Sequence, residues 1–136
     1  MQQFHPLVRE WFYSRYPSPT DVQEKAWDAV SGGNHVFVTA PTGSGKTLTA
    51  FLWAINTLIT DPGEASNPSV LYISPLKALN NDIRKNLIEP VDGITGLFRK
   101  HDTPHRKIRI ALRSGDTDQK EREYLYRTPP DILITT

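Results

Sequence analysis

Apolar residues recur at helical spacing in some stretches of the chain and in short β-branched runs in others. Pro6 suits a first helical turn, and Leu7, Trp11 and Phe12 after it share one face. Pro17 and Pro19 in "YPSPT" end that helix. Thr20 is placed to cap a second, "TDVQEKAWDAV", with Val22, Ala26, Trp27 and Val30 as its apolar positions, and "SGG" at 31–33 closes it. The pattern then changes. "HVFVTA" (35–40) is β-branched and aromatic, which predicts a buried strand. Beyond a glycine-rich turn, Leu48, Phe51, Leu52, Ile55, Leu58 and Ile59 return to helical spacing. "DPGEASNP" is a surface loop, and "SVLYIS" (69–74) is a second strand. Leu76, Leu79, Ile83 and Leu87 line another helix, and "VDGITGLFRK" is a short, weaker helical stretch. "KIRIAL" predicts a third strand. "TDQKEREYLYR" predicts a charged helix with Tyr124 and Leu125 facing inward, and "DILITT" a fourth strand.

Strands that alternate with helices imply an α/β fold, a parallel sheet with helices on its faces. Two parts are expected: N-terminal helices over 1–33 and the α/β portion over 34–136. A chain that stops at a buried strand reads as cut, and Ile132 and Ile134 are then expected to lack neighbouring strands that cover them. Composition changes this picture little. The 136 residues are 38% hydrophobic and 23% charged with a formal net charge of +1, so bulk charge singles out neither nucleic acid nor membrane. The absence of cysteine excludes disulfides and thiolate metal sites. No apolar run is long enough for a bilayer, and "MQQFHPLVREWF" lacks the uncharged core of a secretory signal. A soluble, cytoplasmic protein is the expectation.

The chemistry concentrates in "APTGSGKTLTAFLW" (40–53). A helix N-terminus carries unpaired N–H groups and partial positive charge. Glycines let those groups close around an anion. Thr42, Gly43, Ser44 and Gly45 would form the cradle. Lys46 would reach the β- and γ-phosphates of ATP, and the Thr47 hydroxyl would ligate Mg²⁺, so these two are the catalytic candidates. The usual pattern opens with glycine, and here Ala40 stands in that place.

The variant with alanine first and glycine fourth, here Gly43, resembles the phosphate loop of helicases. Other segments resemble superfamily 2 helicases in the same order. "PTDVQ" (19–23) looks like the Q motif, whose glutamine amide reads adenine. Thr20 and Gln23 equally form a capping box, in which Gln23 merely bonds back to the Thr20 N–H. "SPLKALNND" (74–82) looks like motif Ia, in which Ser74, Pro75, Leu76 and Lys77 would hold a nucleic-acid backbone; an ordinary strand–helix turn is the alternative. "RSGDT" resembles an element of the large helicase-related (Lhr) family, with Arg113, Gly115, Asp116 and Thr117 as nucleic-acid candidates. Asp116 and Thr117 serve equally well as helix caps. "ILITT" looks like the start of motif Ib, where a threonine hydroxyl, Thr135 or Thr136, would touch a phosphate.

Together these segments are most similar to the N-terminal part of a DEAD/DEAH-type helicase of that large helicase-related family. The resemblance implies a P-loop NTPase with a truncated RecA-like first domain, preceded by two helices. It implies ATP-driven 3′–5′ tracking and unwinding in the intact protein, with a second RecA-like domain as partner. DNA is favoured over RNA, because "PLKAL" and "GDT" look unlike DEAD-box RNA helicases. Phe4 would pack on adenine, or else serve the core of the first helix. The acidic motif that helps hold Mg²⁺ in such enzymes is absent, since no Asp-Glu pair occurs in the sequence. This chain alone is therefore expected to bind nucleotide poorly and hydrolyse almost none. The rival readings are an RNA helicase, another P-loop NTPase, or a remnant that binds nucleotide or nucleic acid without catalysis. "FRKHDTPHRKIR" (98–109) is a basic segment that is either a backbone-binding patch or a solvated loop. His101 and His105 lack further ligands for a metal.

Overall fold

In the computed structural model, which describes residues 1–61, 63, 68–74 and 83–136, three short strands form one parallel sheet. β1 is Val70–Ile73, β2 is Ile110–Arg113 and β3 is Ile132–Thr135, in the spatial order β1-β3-β2. Val70 and Ile110 both pair with Ile132, and Ile73 and Arg113 both pair with Thr135. The last strand in sequence is thus the central one. Ile132 and Ile134 are buried, against the expectation that they would lie uncovered, because β1 and β2 flank β3 on both sides.

Four helices build the covered face. α1 spans Pro6–Tyr13, α2 Asp21–Ser31, α3 Lys46–Thr60 and α4 Glu89–Lys100. A fifth, α5, spans Gln119–Arg127. Phe51 of α3 lies 4.7 Å from Tyr72 of β1, ring to ring, which seats α3 on the sheet. An aromatic layer then ties α1 and α2 to α3. Trp27 is fully buried, its indole N–H donates to the Thr49 carbonyl at 2.8 Å, and Phe4 and Phe12 meet it edge-on at 4.9 and 5.7 Å. Each such ring pair contributes about 0.5–1.5 kcal/mol beyond its buried area. The exposed His101–Glu10 pair, at 3.9 Å, contributes at most about 1 kcal/mol, so aromatic packing decides this arrangement.

α4 is longer and better packed than its two glycines suggest. Gly93 faces Trp11 so closely that a side chain there would strike the indole ring. Close packing of α1 on α4, with Val91, Ile94 and Phe98 buried, outweighs the weak helix propensity of glycine. A π-helical turn, Arg84–Ile88, leads into it. Pro90 has no N–H to give the carbonyl four residues back, and its ring would crowd that carbonyl; a wider turn relieves both problems. Ile83 and Leu87 are buried as the apolar spacing predicts, while Leu76 and Leu79 lie outside the described residues.

Two elements differ from expectation. Residues 35–40 form no ladder among the described residues, and Phe37 is 94% exposed. A β-branched run becomes a strand only where a neighbour accepts its backbone bonds, and no described strand lies beside this one. α5 buries none of its residues. Tyr124 is 63% exposed rather than turned inward. Leu71 and Ile73, on the second face of the sheet, are exposed as well. No helix among the described residues is long and apolar enough to cross a membrane.

Asp131 stitches the strand starts together. Its carbonyl accepts the Ser69 and Val70 N–H groups, both at 3.0 Å, and its own N–H donates to the Arg109 carbonyl at 2.8 Å. Its carboxylate, 1% exposed, accepts the Arg109 N–H at 2.7 Å and an ion-paired hydrogen bond from Arg106. Arg106 also lies 3.6 Å from Asp61 at the end of α3. The basic segment 98–109 is thus partly structural. Removing one partner of such a buried pair strands the other charge. Asp131→Ala is therefore expected to cost about 3–5 kcal/mol in urea unfolding; a loss below about 1 kcal/mol would place the pair among surface ion pairs.

A pH dependence follows from His5, the N-cap of α1. Its Nδ1 accepts the Leu7 N–H at 3.2 Å, and its backbone N–H donates to the Asn56 side chain at 2.8 Å. Burial, with the Arg9 charge adding to it, holds the ring below its ordinary value of 6.5. The unfolded chain then binds this proton more readily than the folded one. The contribution of neutral His5 is full above about pH 6.5 and falls as the solution is acidified through that value. His5→Asn keeps a capping oxygen, and its urea midpoint between pH 7 and 5 is expected to fall less steeply than that of the parent.

Candidate functional site

The glycine-rich loop leads into the N-terminus of α3, and its backbone has the shape such a site needs. Gly43 and Gly45 adopt left-handed φ values of 83° and 84°, and Gly45 is the N-cap of α3. L side chains resist that conformation, which explains glycine at both places. No side chain among the described residues caps α3. Its first N–H groups are thereby left to the hollow of the loop, where an anion would meet them. A cradle of bare amides suits a phosphate chain.

Lys46, the first residue of α3, folds its ammonium back onto the loop. It donates to the Pro41 carbonyl at 2.7 Å and to the Ala40 carbonyl. Phosphate oxygens are stronger acceptors than these carbonyls, so an entering anion would draw Lys46 away from them. Thr47 follows in the same turn, half-buried, and Thr42 is exposed. The Ser44 hydroxyl is buried with no hydrogen-bond partner among the described residues.

α2 presses on this loop from the side. The capping box is complete: Gln23 N–H donates to the Thr20 hydroxyl at 3.3 Å, and Thr20 N–H donates to the Gln23 side-chain oxygen at 3.0 Å. The Thr20 hydroxyl also reaches the Ser44 carbonyl at 3.5 Å. A Cβ added at Gly45 would stand 2.6 Å from the Gln23 amide nitrogen. Gln23 therefore caps its own helix and at the same time braces the loop. Phe4 is 3% exposed and edge-on to Trp27 and to Trp53 at 5.4 Å, so its ring serves the core between α2 and α3.

The nucleic-acid candidates gather at one edge. α3 ends where the strands begin, since the Ile59 carbonyl accepts the Arg106 N–H at 3.2 Å and Arg106 holds Asp131. Its N-terminus, with the loop, must then stand at the carboxyl edge of the sheet. Arg113 and Thr135 are paired at that edge, and the buried Ser74 donates its N–H to the Thr135 carbonyl at 3.0 Å. Pro75, Leu76 and Lys77 lie outside the described residues, and Thr136 is exposed.

The 114–117 turn is tightly bonded. Ser114 N–H donates to the Thr117 hydroxyl at 2.8 Å, and Asp116 N–H to the Ser114 hydroxyl at 3.3 Å. The N-cap of α5 is Asp118, whose carboxylate accepts the Glu121 N–H at 2.8 Å, so neither Asp116 nor Thr117 fills that role. Sequence reasoning also missed Arg122. It reaches back from α5 to the Thr117 carbonyl at 2.8 Å and the Gly115 carbonyl at 3.1 Å, and so fixes the turn. A basic residue one turn past an Asp N-cap is the signal that could have found it. His101 and His105 do not converge: one faces Glu10, the other lies 3.0 Å from the Thr103 carbonyl.

The chain also resembles known proteins. The sequence profile described as DEAD/DEAH box helicase matches residues 20–136. The chain is 49% identical over 135 residues to the Lhr helicase/probable uracil glycosylase of Mycolicibacterium smegmatis, covering 98% of this chain and 9% of that protein. It is 43% identical over 140 residues to the Lhr helicase/uracil glycosylase of Escherichia coli, with the same 98% and 9% coverage. The solved structure of Mycobacterium smegmatis helicase Lhr bound to ssDNA and AMP-PNP superposes with a TM-score of 0.88 at 49% identity, over 98% of this chain and 17% of that one. The chain thus spans about 9% of the length of these curated relatives.

The contact between Gln23 and Gly45 can be tested by a double-mutant cycle. Gly43→Ala meets nothing within 4 Å and should lose only the backbone term, about 1–2 kcal/mol. Gly45→Ala should lose more, because its new methyl meets Gln23. In a Gln23→Ala background the Gly45→Ala cost should drop to the Gly43→Ala value. Equal costs in both backgrounds would mean that the two residues do not touch.

Proposed function

This chain belongs to the DEAD/DEAH box helicase family, and we propose that it forms the ATP-binding portion of an ATP-dependent DNA helicase of the large helicase-related kind. The observation that carries the reading is the loop itself: two left-handed glycines, no side-chain cap on α3, and Lys46 at its first position. The triphosphate lies on the N–H groups of 43–47, with Thr42 and Ser44 as loop neighbours, and the Lys46 ammonium exchanges the Ala40 and Pro41 carbonyls for phosphate oxygens. The Thr47 hydroxyl would hold the Mg²⁺ that accompanies the nucleotide, and the ion would neutralise phosphate charge there. Gln23, already turned toward Gly45, uses its amide N–H groups on the adenine.

ATP hydrolysis in the intact protein drives 3′–5′ tracking along a DNA strand at the carboxyl edge of the sheet. Arg113, the Gly115–Asp116–Thr117 turn, Ser74 and Thr135 with Thr136 face that strand, and Pro75, Leu76 and Lys77 are assigned the same partner from the sequence. The likeness to a helicase solved with ssDNA and AMP-PNP supports DNA over RNA. Turnover also needs carboxylates for Mg²⁺ and for water, and an arginine from a second RecA-like domain. The 136 residues contain no Asp-Glu pair, so this chain by itself binds nucleotide poorly and hydrolyses almost none.

Thermal unfolding tests the proposal. ATP with Mg²⁺ at a hundredfold excess over Kd should stabilise the parent by about 2.7 kcal/mol, a rise of several degrees. Lys46→Ala should abolish that rise; an unchanged rise would remove Lys46 from the site. Gln23→Ala should weaken ATP more than a pyrimidine triphosphate, whereas equal weakening would leave Gln23 only its capping and bracing role.

A further inference from the structure

Thr49, Thr57 and Thr60 of α3 each turn a hydroxyl back onto the carbonyl one helical turn earlier: Thr49 onto Gly45 at 2.8 Å, Thr57 onto Trp53 at 3.0 Å and Thr60 onto Asn56 at 2.8 Å. Such bonds are common in helices and slightly unfavourable to them. Thr49 stands apart from the other two. It is 4% exposed, whereas Thr57 and Thr60 lie on the exposed face. Its own carbonyl is held from outside the helix by the Trp27 indole N–H at 2.8 Å. Its acceptor belongs to a glycine at the helix N-cap, with φ 84° and ψ 15°. The Gly45 carbonyl receives the Thr49 N–H as well, at 2.9 Å, so one residue supplies both donors to that oxygen. Glycine has no Cβ to resist rotation about ψ. The peptide that follows Gly45 is therefore free to turn unless its carbonyl is held.

We infer, on the reading that the loop binds nucleotide, that Thr49 is a positioning residue for it. A peptide unit is planar and trans, so its C=O and N–H point in opposite directions. With the Gly45 carbonyl held along α3, the Lys46 N–H is aimed out of the helix end, into the hollow of the loop. The Thr49 hydroxyl thereby orients one amide of the anion cradle before any phosphate arrives, and binding needs no reorganisation of that amide. Trp27 fixes Thr49 in turn, so α2 sets the residue that sets the loop. A threonine that was merely packed against α2 would act through its shape. Thr49 acts through its oxygen, and the two roles respond oppositely to substitution.

Thr49→Val keeps the shape and loses the hydroxyl; Thr49→Ser keeps the hydroxyl and loses a methyl group. ATP with Mg²⁺ is titrated into the full chain, and urea unfolding is followed on the same samples. Thr49→Val should bind ATP about fivefold more weakly than the parent. Thr49→Ser should bind as the parent does, although its urea midpoint falls. Thr57→Val, the same exchange further along α3, should leave affinity unchanged. The backbone N–H residual dipolar coupling of Lys46, read without nucleotide, should change in Thr49→Val and keep its parent value in Thr49→Ser. Thr49→Ala, which also lacks the oxygen, takes the place of Thr49→Val if the latter loses its far-UV circular dichroism. The inference is overturned by equal affinity of parent and Thr49→Val, by a loss of affinity in Thr49→Ser that matches its loss of stability, or by a Lys46 coupling that Thr49→Val leaves unmoved. If the parent itself binds no ATP, the nucleotide reading of the loop fails, and the Lys46 coupling alone then decides whether Thr49 orients the amide.

Discussion

The contact between α2 and the first turn of α3 is the constraint to which the rest of the structure answers. A phosphate loop works only if the helix behind it holds still while its N–H groups stay free. Here the bracing comes from the side. The Trp27 indole holds the Thr49 carbonyl, Gln23 fills the space where a side chain at Gly45 would stand, and Thr20 reaches the Ser44 carbonyl. None of these contacts occupies the hollow of the loop. The capping box that starts α2 and the brace on the loop use the same two side chains, so the helix cannot fray without loosening the loop.

The two ends of α3 have opposite duties. At its N-terminus, amides and the Lys46 charge are held by contacts that an anion can replace. At its C-terminus, Asp61, Arg106 and Asp131 form a set of ion pairs in which Asp131 also closes the starts of all three strands. The glycine-rich loop thus stands at the carboxyl edge of the sheet and the buried ion pairs at the other. Leu71 and Ile73 are exposed on the far face, and the N-terminal end of α5 is fixed by the Asp118 cap and by the Arg122 clamp on the 114–117 turn.

Much of the candidate site was legible because its requirements are local. A turn that needs left-handed backbone, a lysine beside it and a helix behind it occupy consecutive residues, and no other part of the chain is needed to recognise them. The helix starts at Pro6 and Thr20 were legible for the same reason. Phe4 was not, because whether an aromatic ring stacks on a base or fills a core depends on Trp27 and Trp53, which come from other helices. Gln23 was readable as a cap and as a brace only once Gly45 stood beside it. α4 was underrated because propensity counts glycine as weak and cannot see the Trp11 ring that Gly93 admits.

By itself, then, the sequence determined the glycine turn before α3, the Thr20 cap of α2, the apolar faces of α1 to α3 and the parallel α/β class. Each of these is set by interactions within a few residues or by a simple period. Only the tertiary structure decided that β3 lies between β1 and β2, that Asp131 is a buried stitch and that residues 35–40 pair with no described strand. Strand pairing and charge burial depend on which distant segments become neighbours, and hydrophobic periodicity carries no record of that choice.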